Sequence, residues 1–492
     1  MEKKKCVAAL DVGTSSVKVC LFTPQLRMVA RSVQEYSLHT WGDRVEAEGE
    51  SYLAAIQAGL REARRQASDY EIAAMVVTTQ GETLAPVDSS GTPLRPFLVW
   101  LDGRAEAQAA ALREKLPERE FYRATGLPEI SGALPLAKLM WLRENEPEIY
   151  KKTHKFLLVE DYVLFHLTGC FVSEKALQTS TGWFDLNRDD VWAEGLSAAG
   201  IEADKLPEIL ECGTPAGTLT EAAAALLGLE PGIPVVTGAM DQTAAALAGG
   251  CVQPGTVTET TGSALVMAAC TDEPVFAEGH HVTIYRHALP GKFIYLPIGN
   301  TGGMALKWFR DQFCGDLPGG EAGYDALNAL ASAVPPGCEG LVFLPFLSGS
   351  VDPDSCPEAR GCFFGARLST TRGHFARSVM ESVAFLVRDF LEMLEKLGCP
   401  AERICAMGGG SGSELWLQMK ADVCGREFHT AGCGEATAMG AALLALWGAG
   451  LLEKGFHPGI REGRVYRPES VPAYEKAYQL YKNLYTAVKP LF

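Results

Sequence analysis

Apolar residues occur along the chain in short runs separated by turns rich in Gly, Thr and Ser, and this pattern predicts the elements of the fold. The opening stretch has two such runs around one turn, CVAALDVGTSSVKVCLFTP, which predicts a β-hairpin. A second hairpin of the same kind is predicted for residues 255–272, GTVTETTGSALVMAACTD. Because the two turns lie about half the chain apart, their recurrence indicates two similar domains.

Between these hairpins and after them, strand and helix patterns alternate. Further strands are predicted for EIAAMVVTT, FIYLPIGN and RICAMGGG, and a hairpin for TLAPVDSSGTPLRPFLVWLD. Helices are predicted for AEAQAAALREKL, LAKLMWLRENEPEIY, GGMALKWFRDQF and HFARSVMESVAFLVRDFLEMLEKLG, and a strand leading directly into a helix for GIPVVTGAMDQTAAALAGG. The chain is therefore predicted to be an α/β protein with two domains, residues 1–250 and residues 251–492.

The end of the chain carries tyrosines at helical spacing, namely Tyr474, Tyr478, Tyr481 and Tyr485. Such a stripe is typical of the packing face of a helix rather than of a binding site. The last helix is therefore expected to be held by this face, through which it could pack back onto its neighbours.

Charge and composition exclude several classes of protein. The net charge of −16 argues against nucleic acid as a partner, because phosphate backbones are bound by Lys and Arg. The 14 cysteines are scattered without a C-x-x-C pair, which indicates reduced, buried thiols rather than a disulfide framework or a zinc site. The longest apolar stretch, MGAALLALWGAGLL, is shorter than the roughly 20 residues that span a bilayer. The sequence predicts a soluble, cytoplasmic protein with no membrane partner.

Four turns rich in Gly, Ser and Thr each follow a predicted strand, at Asp11–Lys18, Thr260–Ser263, Gly302–Gly303 and Gly408–Ser413. Glycine lets backbone N–H groups approach an anion closely, and hydroxyl groups add further donors. One turn of this kind is common, and none of the four is a P-loop. Two related hairpin turns together with a Gly-rich strand-to-helix turn predict a polyphosphate held from both domains.

Asp241 is the single charged residue in TGAMDQTAAALAGG and stands at the head of the predicted helix. One interpretation is structural, since Asp is a strong helix N-cap. The other is that Asp241 is a catalytic base. The two are compatible, and the helix N-terminus is expected to lower the pKa of Asp241 and keep it ionised.

These motifs together resemble the FGGY family of carbohydrate kinases, members of the actin-like ATPase superfamily. LDVGTSSVK and ETTGSALV are similar to the two phosphate motifs, MGGGSGSELWLQMKADVCG to the adenosine motif, and GEATAMGAALLA to the segment that reconnects the domains. LPLAKLMWLRENEPEIY and RGCFFGARLSTTRGHFARSVMESVAF resemble the two recognition stretches. The resemblance implies two actin-like (ribonuclease H-like) domains with a central cleft, and ATP and Mg²⁺ as cofactors.

The resemblance also implies roles for the turn residues. Asp11 would hold magnesium through water, although it could instead cap its turn. The terminal phosphates would contact Thr14 and Ser15 of the first domain. Further ATP-binding residues are expected in the second domain. The phosphates would lie near Gly262, Ser263, Gly303 and Lys307, and the nucleoside near Gly409, Gly410 and Ser413.

Two further stretches, TTQGETLAPVD and VWLDGRA, resemble the part of the family that binds the acceptor. Gln80 and Glu82 follow a strand, where their side chains can bind sugar hydroxyls, and Gln242 beside Asp241 is a further donor. Trp100 and Asp102 are also expected to bind substrate. For these two the alternatives are a core position for Trp100 and a local salt bridge between Asp102 and Arg104.

The expected reaction is ATP-dependent phosphorylation of a small sugar or polyol, with Asp241 orienting the acceptor hydroxyl and accepting its proton. Domain closure would exclude water. A pentulose is favoured, although QGET is not the Gln-Met-His-Gly of xylulose kinases. A glycerol- or tetritol-type acceptor is the alternative, because QGET shares Gln, Glu and Thr with the Gln-Arg-Glu-Thr of glycerol kinases, and a hexulose is a further alternative. A homodimer is a further expectation. An actin-like ATPase or a sugar sensor without turnover would be a different class.

The sequence departs from the family pattern at a few positions. Ser350 and Val351 stand in FLSGSVDPD where many members have a segment with Gly-Glu-Arg. Ala133 and Ala366 also differ from the usual residue types of the recognition stretches. None of these changes removes Asp11 or Asp241, so they bear on the identity of the substrate rather than on kinase chemistry.

Overall fold

A computed structural model describes residues 3–276, 282–432, 434–455 and 462–492 of the chain. Strands and helices alternate along it, so the predicted α/β class is confirmed. In chain order the strands are β1 (Lys4–Val12), β2 (Ser16–Phe22), β3 (Met28–Glu35), β4 (His39–Trp41), β5 (Arg44–Ala47), β6 (Tyr70–Thr79), β7 (Leu84–Val87), β8 (Phe97–Leu98), β9 (Lys155–Leu158), β10 (Val172–Glu174), β11 (Phe184–Asp185), β12 (Asp190–Val191), β13 (Glu208–Leu210), β14 (Pro215–Thr218), β15 (Pro234–Met240), β16 (Thr256–Thr261), β17 (Leu265–Thr271), β18 (Ile284–Arg286), β19 (Phe293–Tyr295), β20 (Ile298–Gly299), β21 (Val342–Leu344), β22 (Cys362–Phe364), β23 (Arg403–Met407), β24 (Phe428–Ala431) and β25 (Glu462–Tyr466).

The helices are α1 (Gly49–Gln66), α2 (Glu106–Lys115), α3 (Glu118–Thr125), α4 (Pro135–Asn145), α5 (Pro147–Lys152), α6 (Val159–Thr168), α7 (Lys175–Gln178), α8 (Ala193–Ala199), α9 (Glu221–Leu227), α10 (Asp241–Ala248), α11 (Gly303–Phe313), α12 (Gly320–Ser332), α13 (Arg372–Lys396), α14 (Glu414–Cys424), α15 (Ala436–Gly448) and α16 (Pro472–Val488).

The described residues fall into two compact units. Unit 1 lies within Met1–Ala248, Thr283–Ile294 and Glu435–Gly459, and unit 2 within Gly249–Val282, Tyr295–Gly434 and Ile460–Phe492. Each unit is defined by the contacts that its residues make with one another. The division of the sequence into domains 1–250 and 251–492 stays a prediction.

Unit 1 is built on a six-stranded sheet with the order β14-β15-β6-β1-β2-β3. The three central strands β15, β6 and β1 are parallel, whereas β2 pairs with β1 as the antiparallel partner of the predicted hairpin. Buried aliphatic residues from this sheet and from α1 and α6 form the core of the unit. Because parallel strands end at the same edge, the residues that follow β1, β6 and β15 lie close together.

Unit 2 repeats this order of strand directions. The antiparallel pair β16–β17 is the second predicted hairpin. On its other side β16 pairs in parallel with β23, β23 pairs in parallel with β24, and β25 lies antiparallel to β24 at the edge. In unit 1 the hairpin β1–β2 is likewise followed by two parallel strands and by the antiparallel β14. This shared topology agrees with the two similar domains that the recurrent turns indicate.

Two predicted elements are each divided by a proline. The helix predicted for LAKLMWLRENEPEIY is two helices, α4 and α5, because Pro147 lacks the N–H that would continue the first helix and instead starts the second. The strand predicted for FIYLPIGN is likewise two short strands, β19 and β20, with Pro297 between them. Both predictions placed regular structure correctly but missed the interruption.

The tyrosine stripe of α16 is a packing face, as predicted. Tyr474, Tyr478 and Tyr481 are buried, and Tyr485 packs against Phe346 with 5.0 Å between the ring centroids. The hydroxyl of Tyr478 donates a hydrogen bond to Asp389 on α13. The last helix is therefore held within unit 2 by side chains on one of its faces.

Two further observations concern the whole described chain. None of the described cysteines forms a disulfide, and most of their thiols are buried. Within residues 3–276, 282–432, 434–455 and 462–492, none of the helices combines the length and apolar character that crossing a membrane requires.

Candidate active site

Three predicted site residues of unit 1 lie at the carboxyl edge of its parallel strands. Asp11 is the second-last residue of β1, Gln80 directly follows β6, and Asp241 directly follows β15. The backbone N–H of Gln80 donates to the carbonyl of Val12. This edge of an α/β sheet is where ligands commonly bind.

The strand that leads to Asp241 ends in an irregular turn. The register between β15 and β6 shifts between Thr237 and Met240, so the strand bulges just before the carboxylate. Gly238 makes this possible, because a Cβ atom at that position would stand 1.8 Å from the carbonyl oxygen of Val77. Asp241 then begins α10, so its backbone is fixed by both a strand and a helix.

Side chains of the first turn and of the acceptor loop form one hydrogen-bonded chain. The Thr14 hydroxyl donates to Oε1 of Gln80 over 2.8 Å and accepts from Nε1 of Trp100 over 3.0 Å. The sequence predicts Thr14 as a phosphate contact and the other two residues as acceptor contacts, and the structure joins them directly. Trp100 is 38 % exposed, so it is not a core residue. Its ring is available to a ligand.

Glu82 adopts a strained backbone conformation beside a buried lysine. Its φ angle of 67° lies in the left-handed region, which non-glycine residues rarely occupy. Nζ of Lys138 donates to the Val99 carbonyl over 2.8 Å and to the Glu82 carbonyl over 3.3 Å. Burial raises the pKa of Glu82 and lowers that of Lys138, although their mutual attraction opposes both shifts. Lys138 therefore fixes the loop that carries Glu82.

Asp102 forms the local salt bridge that was the alternative to substrate binding. Its carboxylate is fully buried and accepts from Nε and Nη2 of Arg104 over 2.8 and 2.7 Å and from the Val45 N–H over 2.7 Å. Burial alone would raise the pKa of Asp102, but these hydrogen bonds outweigh it and lower the pKa. Substrate binding by Asp102 stays a prediction without support from these contacts.

The expected effect on the pKa of Asp241 is wrong in sign. The sequence led us to expect that the helix N-terminus would lower it, yet the pKa is raised to about 7. Desolvation of this partly buried carboxylate is the largest cause, and the negative charge of Asp11 adds to it. Hydrogen bonds from the backbone and side chain of Gln242 lower the pKa but do not compensate. Asp241 is therefore poised to exchange a proton near neutral pH.

Asp11 is buried within a small network of charges. Lys18 lies 3.5 Å from its carboxylate and 3.2 Å from Glu435, and Arg31 pairs with Glu435 over 2.7 Å. Burial raises the pKa of Asp11, while the attraction of Lys18 opposes the shift. Ser15 lies exposed at the tip of the same turn.

The acidic group at this edge suits a magnesium ion bound mainly by other ligands. Among the described residues, no cluster of three or more His, Cys, Asp or Glu side chains is placed to hold a metal ion by itself. Mg²⁺ in phosphoryl-transfer enzymes usually keeps several waters and takes only one or two carboxylates besides the phosphates. Asp11, with Asp241 nearby, fits that requirement.

The predicted nucleotide residues of unit 2 line a single cavity of about 300 Å³. It lies at the carboxyl ends of β16 and β23, where the Gly-rich turns begin. Close backbone approaches require glycine here, since a Cβ atom on Gly303 would stand 2.7 Å from the Gly262 carbonyl oxygen. All seven predicted residues border the cavity, namely Gly262, Ser263, Gly303, Lys307, Gly409, Gly410 and Ser413.

Two of these residues have additional contacts. The Ser413 hydroxyl donates to Oδ1 of Asn328 over 2.9 Å and also caps α14. Lys307 is ion-paired with Asp311 over 2.7 Å and is largely exposed. The cavity thus combines backbone turns on one side with polar side chains on the other.

Several residues at these sites were missed from the sequence. In unit 2, Tyr324, Asn328 and Trp416 border the cavity, and the helix that carries the first two gave no recognised motif. In unit 1, Lys138 was overlooked, and so was Tyr285, whose hydroxyl has its pKa raised by burial and by the charges of Glu82 and Asp241. A lysine inside the apolar stretch LPLAKLMWL was the one signal available.

Two family models match this chain. The N-terminal domain model of the FGGY family of carbohydrate kinases matches residues 6–248, and the C-terminal domain model matches residues 260–449. The chain belongs to this family. The predicted resemblance is therefore confirmed, and the protein is a phosphotransferase that acts on a carbohydrate. Membership implies ATP as the phosphoryl donor.

Individual relatives carry two different names. The chain is 29% identical to a gluconokinase from Bacillus subtilis (strain 168), over 96% of this chain and 93% of the relative. It is 28% identical to a xylulose kinase from the same organism, over 99% and 98%. The crystal structure of a xylulose kinase from Rhodospirillum rubrum matches with a TM-score of 0.89 and 29% identity, over 99% of both chains. The predicted two-domain α/β fold of these kinases is confirmed.

Proposed function

We propose that this carbohydrate kinase phosphorylates a small neutral sugar or polyol, with a xylulose-like pentulose favoured, and that Asp241 is its general base. The observation that carries the proposal is the position of Asp241 at the carboxyl edge of the unit 1 sheet, beside Asp11 and Gln80, with a pKa of about 7. The favoured substrate rests on the charge balance described below and on the xylulose kinase relatives.

The chemistry required of the protein is mainly positioning. Phosphoryl transfer passes through a loose transition state, so the acceptor hydroxyl has to be aligned and its proton accepted late. A base works best when its pKa is near the operating pH. Asp241 meets this condition because burial and the charge of Asp11 raise its pKa, while Gln242 holds the carboxylate in place.

The acceptor itself would bind to the hydrogen-bonded chain of Thr14, Gln80 and Trp100 and to Glu82. Amide and carboxylate groups suit sugar hydroxyls, which donate and accept hydrogen bonds. The partly exposed Trp100 ring offers an apolar face for the C–H groups of a sugar. Gln242 completes this group as a further donor.

ATP and magnesium would be held by the remaining predicted residues. The cavity of unit 2 would take the nucleotide, with its Gly-rich turns donating N–H groups to phosphates. Asp11 would hold Mg²⁺ through water, and Thr14 and Ser15 would contact the terminal phosphates. When bound, the ion supplies positive charge that offsets the charge of the transferring phosphoryl group.

The charged groups of unit 1 favour a neutral acceptor over an aldonate, because the cations near the site already have partners. Lys138 donates to two backbone carbonyls, and Lys18 is paired with Asp11 and Glu435. Arg104 is paired with both Asp102 and Glu46. Each of these cations is already engaged, and the carboxylates Glu82 and Asp241 would repel the carboxylate of an aldonate. The gluconokinase relatives make gluconate the alternative acceptor.

The test is a coupled assay of ADP release across pentuloses, hexuloses, pentitols, tetritols, glycerol and gluconate. We expect the highest kcat/KM with a neutral pentulose. A gluconate kcat/KM above that of every neutral acceptor would refute the proposed substrate class while leaving kinase activity intact. ATP hydrolysis that no acceptor stimulates would instead indicate an actin-like ATPase or a sugar sensor. A cytoplasmic location and a homodimeric assembly stay predictions.

A further inference from the structure

Two buried glutamates lie directly behind the strand bulge that carries Asp241. We propose that Glu174 and Glu160 are positioning residues for Asp241, with Glu174 as the more acidic anchor and Glu160 as the partner that keeps the proton. The inference rests on the proposed function, because it assumes that the exact placement of Asp241 matters for turnover.

The bulge and the residue that ends it each donate one backbone hydrogen bond to a glutamate. The N–H of Gly238 donates to Oε1 of Glu160 over 2.9 Å, and the N–H of Met240 donates to Oε1 of Glu174 over 3.0 Å. Gly238 lies within the bulge, and Met240 is the residue at which pairing with Thr79 resumes. Met240 immediately precedes Asp241, so its N–H bond fixes the peptide from which the carboxylate projects.

Glu174 accepts hydrogen bonds at both of its oxygens. Oε1 also accepts from the Leu177 N–H over 2.6 Å, and Oε2 accepts from the Ala176 N–H and from the Cys212 thiol over 2.8 Å. The bonds from Leu177 and Ala176 cap the N-terminus of α7. Because both oxygens accept backbone N–H donors, these bonds favour the ionised form of Glu174 over that of Glu160.

Glu160 has the opposite character. It is fully buried, and its Oε2 has no hydrogen-bond partner among the described residues. Burial raises the pKa of Glu174 to about 8 and that of Glu160 well above its usual range, and repulsion from Glu174 adds to the shift of Glu160. Two neighbouring carboxylates in such surroundings do not both ionise. The proton therefore belongs on Glu160, whose free oxygen can carry it without meeting another donor.

The same group also reaches the acceptor loop. Glu174 caps the start of α7, and Ser180 follows the end of that helix. A Cβ atom on Gly81 would stand 2.8 Å from Oγ of Ser180 and 3.3 Å from Sδ of Met240, so these three residues are in close contact. Gly81 lies between Gln80 and Glu82. Glu174 thus connects the bulge before Asp241 to the loop that would bind the acceptor.

The two glutamates should respond differently to the same substitution. Glu174→Gln must place an NH₂ group against an N–H or S–H donor, so the bulge or the cap has to move. Glu160→Gln can keep its acceptor toward Gly238 and place the NH₂ group where Oε2 has no partner. We expect Glu174→Gln to lower kcat on the order of 10- to 100-fold, because displacing a catalytic group by about 1 Å costs this much. Glu160→Gln should stay within about threefold of wild type.

The test measures acceptor-dependent ADP release in the full-length enzyme, normalised to the number of sites that bind a non-hydrolysable ATP analogue in calorimetry. This normalisation separates misplaced Asp241 from a smaller folded fraction. Asp161→Asn is the matched control, since Asp161 is also buried on α6 and accepts from the Leu158 N–H, but it bonds neither Gly238 nor Met240. It should leave kcat per competent site within about threefold of wild type.

Glu174→Asp serves as a second variant if Glu174→Gln does not fold. Aspartate still caps a helix, but the shorter side chain withdraws from the Met240 N–H, so kcat per site should again fall. Wild-type kcat per competent site in either folded Glu174 variant would overturn the inference, and an equal loss in Glu160→Gln would overturn the assignment of the proton. An Asp241→Asn variant assayed in parallel separates the two proposals. Wild-type turnover there refutes the proposed base, whereas its loss together with an active Glu174→Gln refutes only the positioning role.

Discussion

The phosphate turns of unit 1 and unit 2 were predicted from similar sequences, yet the candidate sites around them are built differently. In unit 1 the contacts are made by side chains such as Thr14, Gln80 and Trp100, which hydrogen-bond one another, and by carboxylates with raised pKa values. In unit 2 the cavity is bordered by closely approaching glycine backbones. A hairpin with a Gly/Ser/Thr turn can therefore support two kinds of site.

This difference predicts which kind of substitution should affect each unit most. In unit 1, an isosteric change of one charged side chain alters proton affinity without changing the shape of the site. In unit 2, the backbone supplies the donors, so an added side-chain volume should matter more than a changed charge. The following substitutions test this contrast.

The largest effect outside Asp241 itself is expected for Asp11→Asn. Loss of this carboxylate would weaken magnesium binding, so acceptor-dependent kcat at about 1 mM Mg²⁺ should fall on the order of 100-fold and recover in part at higher Mg²⁺. Steady-state kinetics across a magnesium titration measures this. Asp69→Asn, at an exposed carboxylate of the same unit, is the control. An unchanged magnesium requirement would remove Asp11 from the proposed site.

Added volume in the unit 2 cavity should weaken ATP binding. Gly409 borders the cavity, and a Cβ atom added there would meet open space, so Gly409→Val should fold normally and occupy room meant for the nucleotide. We expect KM for ATP to rise about tenfold with the sugar KM unchanged. Gly315→Val, at an equally open glycine away from the cavity, should change neither constant. An unaffected KM for ATP would contradict the assignment of the cavity.

The pH dependence should report the raised pKa of Asp241. A base must be unprotonated to act, so kcat/KM for the sugar should be constant above pH 7 and fall about tenfold per pH unit below the pKa of about 7. In the residual activity of the Asp11→Asn variant, the fall in kcat/KM should occur at lower pH, because the charge of Asp11 is one cause of the raised pKa of Asp241. A profile flat down to pH 5 would show that Asp241 is not titrating in the free enzyme.

The smallest effect on catalysis is expected for Asp102→Asn. This change breaks a buried ion pair with Arg104, which should cost ~1–3 kcal/mol of unfolding free energy while leaving the sugar KM within about threefold. Thermal unfolding and kinetics on the same preparation measure the two effects. A large rise in sugar KM with unchanged stability would restore Asp102 as a substrate-binding residue.

The sequence allowed the elements and the local placement of the site to be predicted, because they depend on short-range patterns. The two hairpins, the strand that runs directly into α10 and the Gly-rich turns were all visible as apolar runs next to turn residues. Asp11, Gln80 and Asp241 were predicted as site residues from the family motifs, and in the structure the parallel strands bring them to one edge of the sheet. The family motifs supplied the nucleotide residues.

What could not be predicted depends on residues distant in sequence. The pKa of Asp241 was expected to be low from its helix, but burial and Asp11, on another strand, raise it. Lys138 reaches the acceptor loop from α4, and Glu160 and Glu174 reach the bulge from α6 and β10. No local pattern encodes these contacts. The proline breaks at Pro147 and Pro297 were local signals that the apolar pattern concealed.

The most direct test of the central claim is the Asp241→Asn variant, measured for binding and turnover in one sample. The substitution keeps the size of the side chain but removes the base. We predict that an ATP analogue and the preferred acceptor bind with affinities within about threefold of wild type, while kcat falls by about 10²- to 10⁴-fold. Turnover close to wild type, with both ligands bound, would contradict the claim that Asp241 is the general base.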